Sequence, residues 1–181
     1  MLTIVIMLTL AIAFYTGARR GLVLQAVLTV GYIITMFIAK AKYPVVAKKI
    51  ELLIPYPAPT PQSELHYFSG ESLFKLDQAF YGAMGFLIII MIGWAIMRFV
   101  GLLCHQLTFF PTTMELNVYG GGFLSFIVAY LALFMCLMIG AMIPLDGIQK
   151  MIEESTISRF IIENTPYFSK TVLDWVNQII Y

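Results

Sequence analysis

The sequence predicts an all-α membrane protein: four transmembrane helices accompanied by short amphipathic surface helices. Three observations point there. Four uncharged, mostly apolar stretches occupy about Leu2–Ala18, Gly21–Ala39, Ala79–Met97 and Leu116–Leu145. A hydrocarbon core about 30 Å thick is crossed by roughly 20 helical residues rising 1.5 Å each. Four such runs within 181 residues exceed what a soluble core of this size can bury. Composition agrees, with 60% hydrophobic and 12% charged residues, against about 25% charged in soluble domains.

The first run begins almost at Met1. No Lys or Arg precedes Arg19, so the basic n-region of a secretory signal is missing and the run is read as a retained span. Only Arg19-Arg20, between Gly17 and Gly21, separates it from the second run. So short a connection forces an antiparallel hairpin, with glycine tolerating the tight backbone. The motif Gly17, Arg19, Arg20, Gly21 supports two readings. Both guanidinium groups can anchor the turn in the headgroups. Alternatively, lying where a helix begins, they can hold a lipid phosphate or an anionic solute.

Residues 40–78 form the one long connection. Val46, Ala47, Ile50, Leu53 and Ile54 recur at helical spacing over Tyr43–Ile54, with Lys48, Lys49 and Glu51 off that face. This predicts a short amphipathic helix lying on the membrane surface. Pro55, Pro57, Pro59 and Pro61 then impose an extended, stiff spacer. Ser72 is placed to cap the third span. That span carries Gly82, Gly85 and Gly93, and the fourth opens with Asn117 and the triplet Gly120, Gly121, Gly122. Small residues let transmembrane helices approach closely. A glycine triplet can also break a helix, which membranes tolerate only inside protein or along a wet cavity. Packing and a helix break both stay open for these four residues. Arg98, near the end of the third span, is expected to snorkel.

Beyond Pro144 the pattern becomes amphipathic, dividing a bundle at 1–145 from a tail at 146–181. Asp146 and Gln149 resemble a capping pair. Thr165-Pro166 has the form of an N-cap followed by proline at the first helical position. Phe168, Val172, Leu173, Trp175, Val176, Ile179 and Ile180 then share one face, opposite Lys170, Asp174, Asn177 and Gln178. An interfacial helix is predicted there, with Phe168, Val172, Trp175, Val176 and Ile179 as its contact residues.

Several chemistries find no support. His66 and His105 have no ligand-spaced partner, and the two cysteines, Cys104 and Cys136, match no zinc or redox motif. No G-x-S-x-G or P-loop occurs. Cys104 and His105 are adjacent, and on a helix neighbours point about 100° apart, which is poor geometry for proton transfer. The spans hold no carboxylate, and Ser125 has no evident partner. A non-enzymatic protein without a cofactor or metal is expected. The net charge of +1 excludes a basic nucleic-acid surface. Expected partners are membrane lipids and, beyond them, a second copy of the chain or an export or envelope protein.

Three stretches together resemble the colicin V production protein family of bacterial inner-membrane proteins. Phe14-Tyr15-Thr16-Gly17-Ala18-Arg19-Arg20-Gly21-Leu22 is similar to its aromatic/Gly-x-Arg-Arg-Gly hairpin. Leu116-Asn117-Val118-Tyr119-Gly120-Gly121-Gly122-Phe123-Leu124 resembles the Asn/Asp-x-x-x-Gly-Gly opening of its last span. Glu154-Ser155-Thr156-Ile157, followed by Glu163-Asn164-Thr165-Pro166, is similar to its Ser-to-Pro tail. The second stretch lacks the Arg that commonly follows the Asn, so a charge pair built on that Arg is not carried over. The resemblance implies four spans and an accessory role in toxin or bacteriocin production and envelope homeostasis, without a defined reaction. The rival reading is a small oligomeric channel or solute transporter, which at four spans would need several copies.

Four spans place both termini on one side. Lys40, Lys42, Lys48, Lys49, Lys75, Lys150, Arg159 and Lys170 would share that side, against Arg19, Arg20 and Arg98 on the other. The whole-segment count favours termini inside. The positive-inside rule, however, weights short loops and the first hairpin, so the reading leans to termini outside.

Overall fold

The computed structural model describes residues 1–56, 76–109, 113–143 and 145–165. The described residues are helical almost throughout. Helices α1 (Leu2–Arg20), α2 (Leu22–Glu51), α3 (Leu76–Leu103), α4 (Gly121–Ala141), α5 (Asp146–Glu153) and α6 (Thr156–Asn164) follow in order. A short 3₁₀ turn, His105–Phe109, follows α3, and a π-helical turn, Leu116–Gly120, leads into α4. Among the described residues, four segments are long and apolar enough to span a membrane: Leu2–Arg20, Leu22–Glu51, Asp77–Leu103 and Leu116–Ala141. Ile4, Leu8, Ile33, Phe37, Ile92, Phe99 and Phe123 on these segments are exposed in the isolated chain. Large side chains in such numbers need a nonaqueous surround.

The expected surface helix at Tyr43–Ile54 is not separate. Its residues to Glu51 continue α2, which runs unbroken for 30 residues through Pro44. Pro44 lacks the N–H that would bond the Lys40 carbonyl. Packing compensates for that loss. A Cβ on Gly85 would stand 2.8 Å from the Tyr43 carbonyl oxygen and 2.9 Å from the Ala47 nitrogen. α3 therefore lies directly against the α2 backbone on both sides of the proline. At 1.5 Å per residue α2 is about 45 Å long, more than the hydrocarbon core spans.

Two compact units are distinguished. One comprises Met1–Ile6, Tyr43–Phe86 and Phe134–Tyr181; the other comprises Met7–Lys42 and Leu87–Leu133. In the first, Ile6, Ile50, Phe80, Phe134, Met142 and Ile161 are buried. Tyr56 knits this unit through its backbone and ring. Its hydroxyl donates to the Met142 carbonyl (2.8 Å), and its N–H donates to the Tyr81 hydroxyl (2.9 Å). Tyr81 in turn donates to the Ile54 carbonyl (2.7 Å), and the Tyr56 and Phe80 rings lie 5.0 Å apart.

Two expected caps are replaced by other bonds. Leu145, not Asp146, is the N-cap of α5, and no side chain caps it. Gln149 turns inward instead, its Nε2 donating to the Ala141 (3.1 Å) and Ile143 (2.8 Å) carbonyls. It thus satisfies acceptors left open at the end of α4. Thr165 closes α6, its hydroxyl donating back to the Ile161 carbonyl. The helix expected from Pro166 onward lies outside the described residues, as do Ser72 and the proline spacer at 57–61. Ser155 caps α6, accepting from the Ser158 N–H (3.3 Å), and shares a hydrogen bond with the Thr3 hydroxyl (2.8 Å).

Candidate functional site: the arginine turn

A single residue, Gly21, separates α1 from α2, and among the described residues it is the one glycine with positive φ, at 82°. Its N–H donates to the Gly17 carbonyl (3.1 Å) and its carbonyl accepts from the Gln25 N–H (3.1 Å). Gly21 therefore ends one helix in the left-handed conformation and begins the next. Arg19 and Arg20 form the last turn of α1 rather than a loop. Arg19 is exposed and Arg20 half-buried.

Starting α2 without a loop leaves its first N–H groups without helical partners. One is met from 95 residues away: Asn117 Oδ1 accepts the Leu22 N–H at 2.7 Å. Asn117 is thus an N-cap supplied by another helix. It lies in the π-helical turn, whose extra residue per turn re-aims side chains relative to an α-helix. Gly121 follows at the point of closest approach. A Cβ there would meet the Gly17 carbonyl oxygen at 2.6 Å and the Gly21 carbonyl carbon at 2.8 Å. Gly120 packs on Leu22, and Gly122 on the Phe14 ring. Of the two readings left open for Asn117, Gly120, Gly121 and Gly122, the backbone is a π turn running directly into α4. The triplet packs against other helices and does not unwind.

The structure thus joins two of the sequence motifs, Gly17-Arg19-Arg20-Gly21 and Asn117-Gly120-Gly121-Gly122. Phe168, Val172, Trp175, Val176 and Ile179 fall outside the described residues. Four further residues bear on the turn: Ser125 and Arg98 are named from sequence without being placed here, and Tyr32 and Gln25 are not named at all. Ser125, 8% exposed, packs so tightly on Gly17 that a Cβ there would overlap it. Arg98 and Tyr32 lie within electrostatic reach of Arg20. Gln25 is 1% exposed, and its Oε1 has no hydrogen-bond partner. The available signal for Gln25 was its place as the lone amide between Gly21 and Ala39.

The site holds donors, cations and close backbone contacts, and no nucleophile beside a base. Both cysteines are free thiols. His105 stacks edge-on to Phe109 at 5.8 Å. Among the described residues, no three His, Cys, Asp or Glu side chains gather as metal ligands.

The family model of the colicin V production protein matches residues 2–166. The chain belongs to the colicin V production protein family. It is also similar to an uncharacterized transmembrane protein, YshB, of Bacillus subtilis (strain 168), at 29% identity over 172 residues and 93% of each chain. No solved structure matches. With four spanning helices and a transmembrane relative across nearly its whole length, this member of the family is a multi-pass membrane protein.

Proposed function

We propose that the protein is a non-enzymatic accessory of the bacterial inner membrane that supports toxin or bacteriocin production or export and envelope homeostasis. The observation that carries this reading is the character of the arginine turn. Its motif residues interlock by backbone contact and by one inter-helix cap, while its charged groups are cations with no reacting partner. Such a site suits holding a membrane scaffold in register and presenting a basic face. Both termini are placed outside the cytoplasm, because the short Arg19-Arg20 turn outweighs longer basic segments in orienting a chain.

The test is complementation of a bacterial strain lacking its own family member. Secreted bacteriocin activity and resistance to envelope-active detergent are measured with wild type and with Asn117→Leu. Wild type restores both and the variant restores neither. Full restoration by a variant confirmed to have lost the inter-helix cap would overturn the reading. Cysteine-accessibility labelling at the N-terminus checks the orientation. The second reading, a small oligomeric channel, draws on the unpartnered, buried Gln25 carboxamide oxygen, the kind of group a wetted path can satisfy. Mass measurement of the nanodisc-embedded protein separates the two, since a monomer of four spans leaves little room for a pore.

A further inference from the structure

We propose that Lys42, Lys48 and Lys49, grouped around Val45 on α2, form a docking site for the headgroup of an anionic phospholipid. The inference rests on the membrane-spanning architecture and is independent of the toxin-export reading.

The grouping follows from helical periodicity. On a helix surface the neighbours of a residue stand three and four positions away. For Val45 these are Ala41, Lys42, Lys48 and Lys49, all in the unbroken helix α2. Val45 is 58% exposed, and the three lysines are exposed with it. The opposite face is the packed one: Ala39 and Ile50 are buried, and the α2 backbone at Tyr43 and Ala47 meets Gly85. Glu51, the one carboxylate of α2, is six positions from Val45 and therefore about 120° round the helix. Three ammonium groups thus surround one outward-facing apolar side chain.

The continuation of that face says what covers it. Ile34, Ile38, Ala41 and Val45 form one exposed stripe along α2, within a segment long and apolar enough to span a membrane. Acyl chains are the surround such a stripe requires. Depth agrees. Leu22 opens α2 directly after the arginine turn. At 1.5 Å per residue, Lys42 stands about 30 Å along α2 from Leu22, and Lys48 and Lys49 about 40 Å. With α2 along the membrane normal, the hydrocarbon ends at about 30 Å and the headgroups at about 40–45 Å. The lysines therefore lie at headgroup level, with lipid tails beside Ile34 and Ile38. Ammonium groups make strong charge-assisted hydrogen bonds to phosphate oxygens. Three such charges exceed the roughly half a negative charge carried by a helix C-terminus. A headgroup with net negative charge matches this patch, whereas a zwitterionic one brings its own cation against the lysines.

The experiment uses the full chain reconstituted in phosphatidylcholine vesicles. Val45→Trp, in a background of Trp94→Phe and Trp175→Phe, puts the sole indole at the patch. A small share of brominated lipid, either phosphatidylglycerol or phosphatidylcholine, then quenches its fluorescence. Phosphatidylglycerol should quench several-fold more strongly, and raised salt should shrink the excess. Lys42→Gln with Lys48→Gln and Lys49→Gln should equalise the two lipids. Arginine at the same three positions keeps the charge and should keep the preference, which separates lost charge from altered packing. Lys150→Gln with Arg159→Gln removes two cations from α5 and α6 and should change nothing. Native mass spectrometry of the chain with Val45 in place gives the same lipid comparison should the reporter not fold. Equal quenching by the two lipids overturns the proposal; a shift of the indole emission on adding soluble polyglutamate would then assign the patch to an acidic peptide. An undiminished preference in the folded triple glutamine variant also overturns it. So does a loss in the Lys150 and Arg159 variant, which would mark diffuse surface charge.

Discussion

Replacing Asn117 by Ala removes the acceptor that the π turn extends to α2 and leaves everything else at the arginine turn in place. The Leu22 N–H, now bonded to Oδ1 at 2.7 Å, then has no helical partner, because it belongs to the first turn. Leaving such a donor unmet costs about 1–3 kcal/mol, compared with about 0.5–2 for loss of an ordinary N-cap. Water is scarce beside the spans, which favours the upper part of that range. A loss of about 2 kcal/mol lowers the melting midpoint by roughly 4–8 °C in a chain this long. Thermal melts in nanodiscs, followed by circular dichroism, measure it. Asn117→Asp keeps the acceptor and places negative charge at a helix N-terminus, so it should melt at or above wild type. Gly21→Ala adds a separate check. It forces a side chain into φ 82° and puts a Cβ 2.6 Å from Asn117 Oδ1. The first cost, about 1–2 kcal/mol, persists in the double variant with Asn117→Ala, while the clash vanishes, so the two losses should sum to more than the double variant shows. A wild-type melting profile for Asn117→Ala, or strict additivity in the double variant, would refute the capping argument.

Gly121→Leu should prevent close approach at the turn, because the Gly17 and Gly21 backbone atoms it meets cannot rotate away; lowered thermal stability or altered assembly on size exclusion is expected, and unchanged behaviour contradicts the packing. Gln149→Leu strips the Ala141 and Ile143 carbonyls of their shared donor and should cost about 1–3 kcal/mol, read as a lower melting midpoint that Gln149→Glu does not rescue. Tyr56 is pushed up to about 12, mainly by burial and secondarily by the Asp77 carboxylate. Since the folded phenol holds its proton more tightly than the unfolded one, its contribution is complete below pH about 10 and is lost as pH rises toward about 12. Tyr56→Phe should therefore lessen the alkaline loss of stability, and an identical pH profile would contradict the assignment.

The number and rough extent of the spans were legible from sequence because leaving water is a local property: a long uncharged run must be helical and must find a nonaqueous surround. The arginine turn was legible for a similar reason, since Gly21 follows two charges between two such runs. Which faces meet was a different matter. Runs that are apolar all round carry little facial pattern, so glycines announce close contact without naming the partner. Only the tertiary structure decides that Gly121 lies on Gly17 and Gly21 and that Asn117 caps Leu22. The surface-helix expectation at Tyr43–Ile54 erred for a related reason. Its lysines and Pro44 read as an interruption, but α3 packs on the α2 backbone through Gly85 and carries the helix on to Glu51. Gln149 was recognised as a capping residue and assigned to the wrong helix end. Sequence spacing names the nearest free backbone groups, whereas the chain reversal after α4 brings the Ala141 and Ile143 carbonyls closer to its amide. Hydropathy is written residue by residue; the partners of polar groups are fixed only when helices distant in sequence meet.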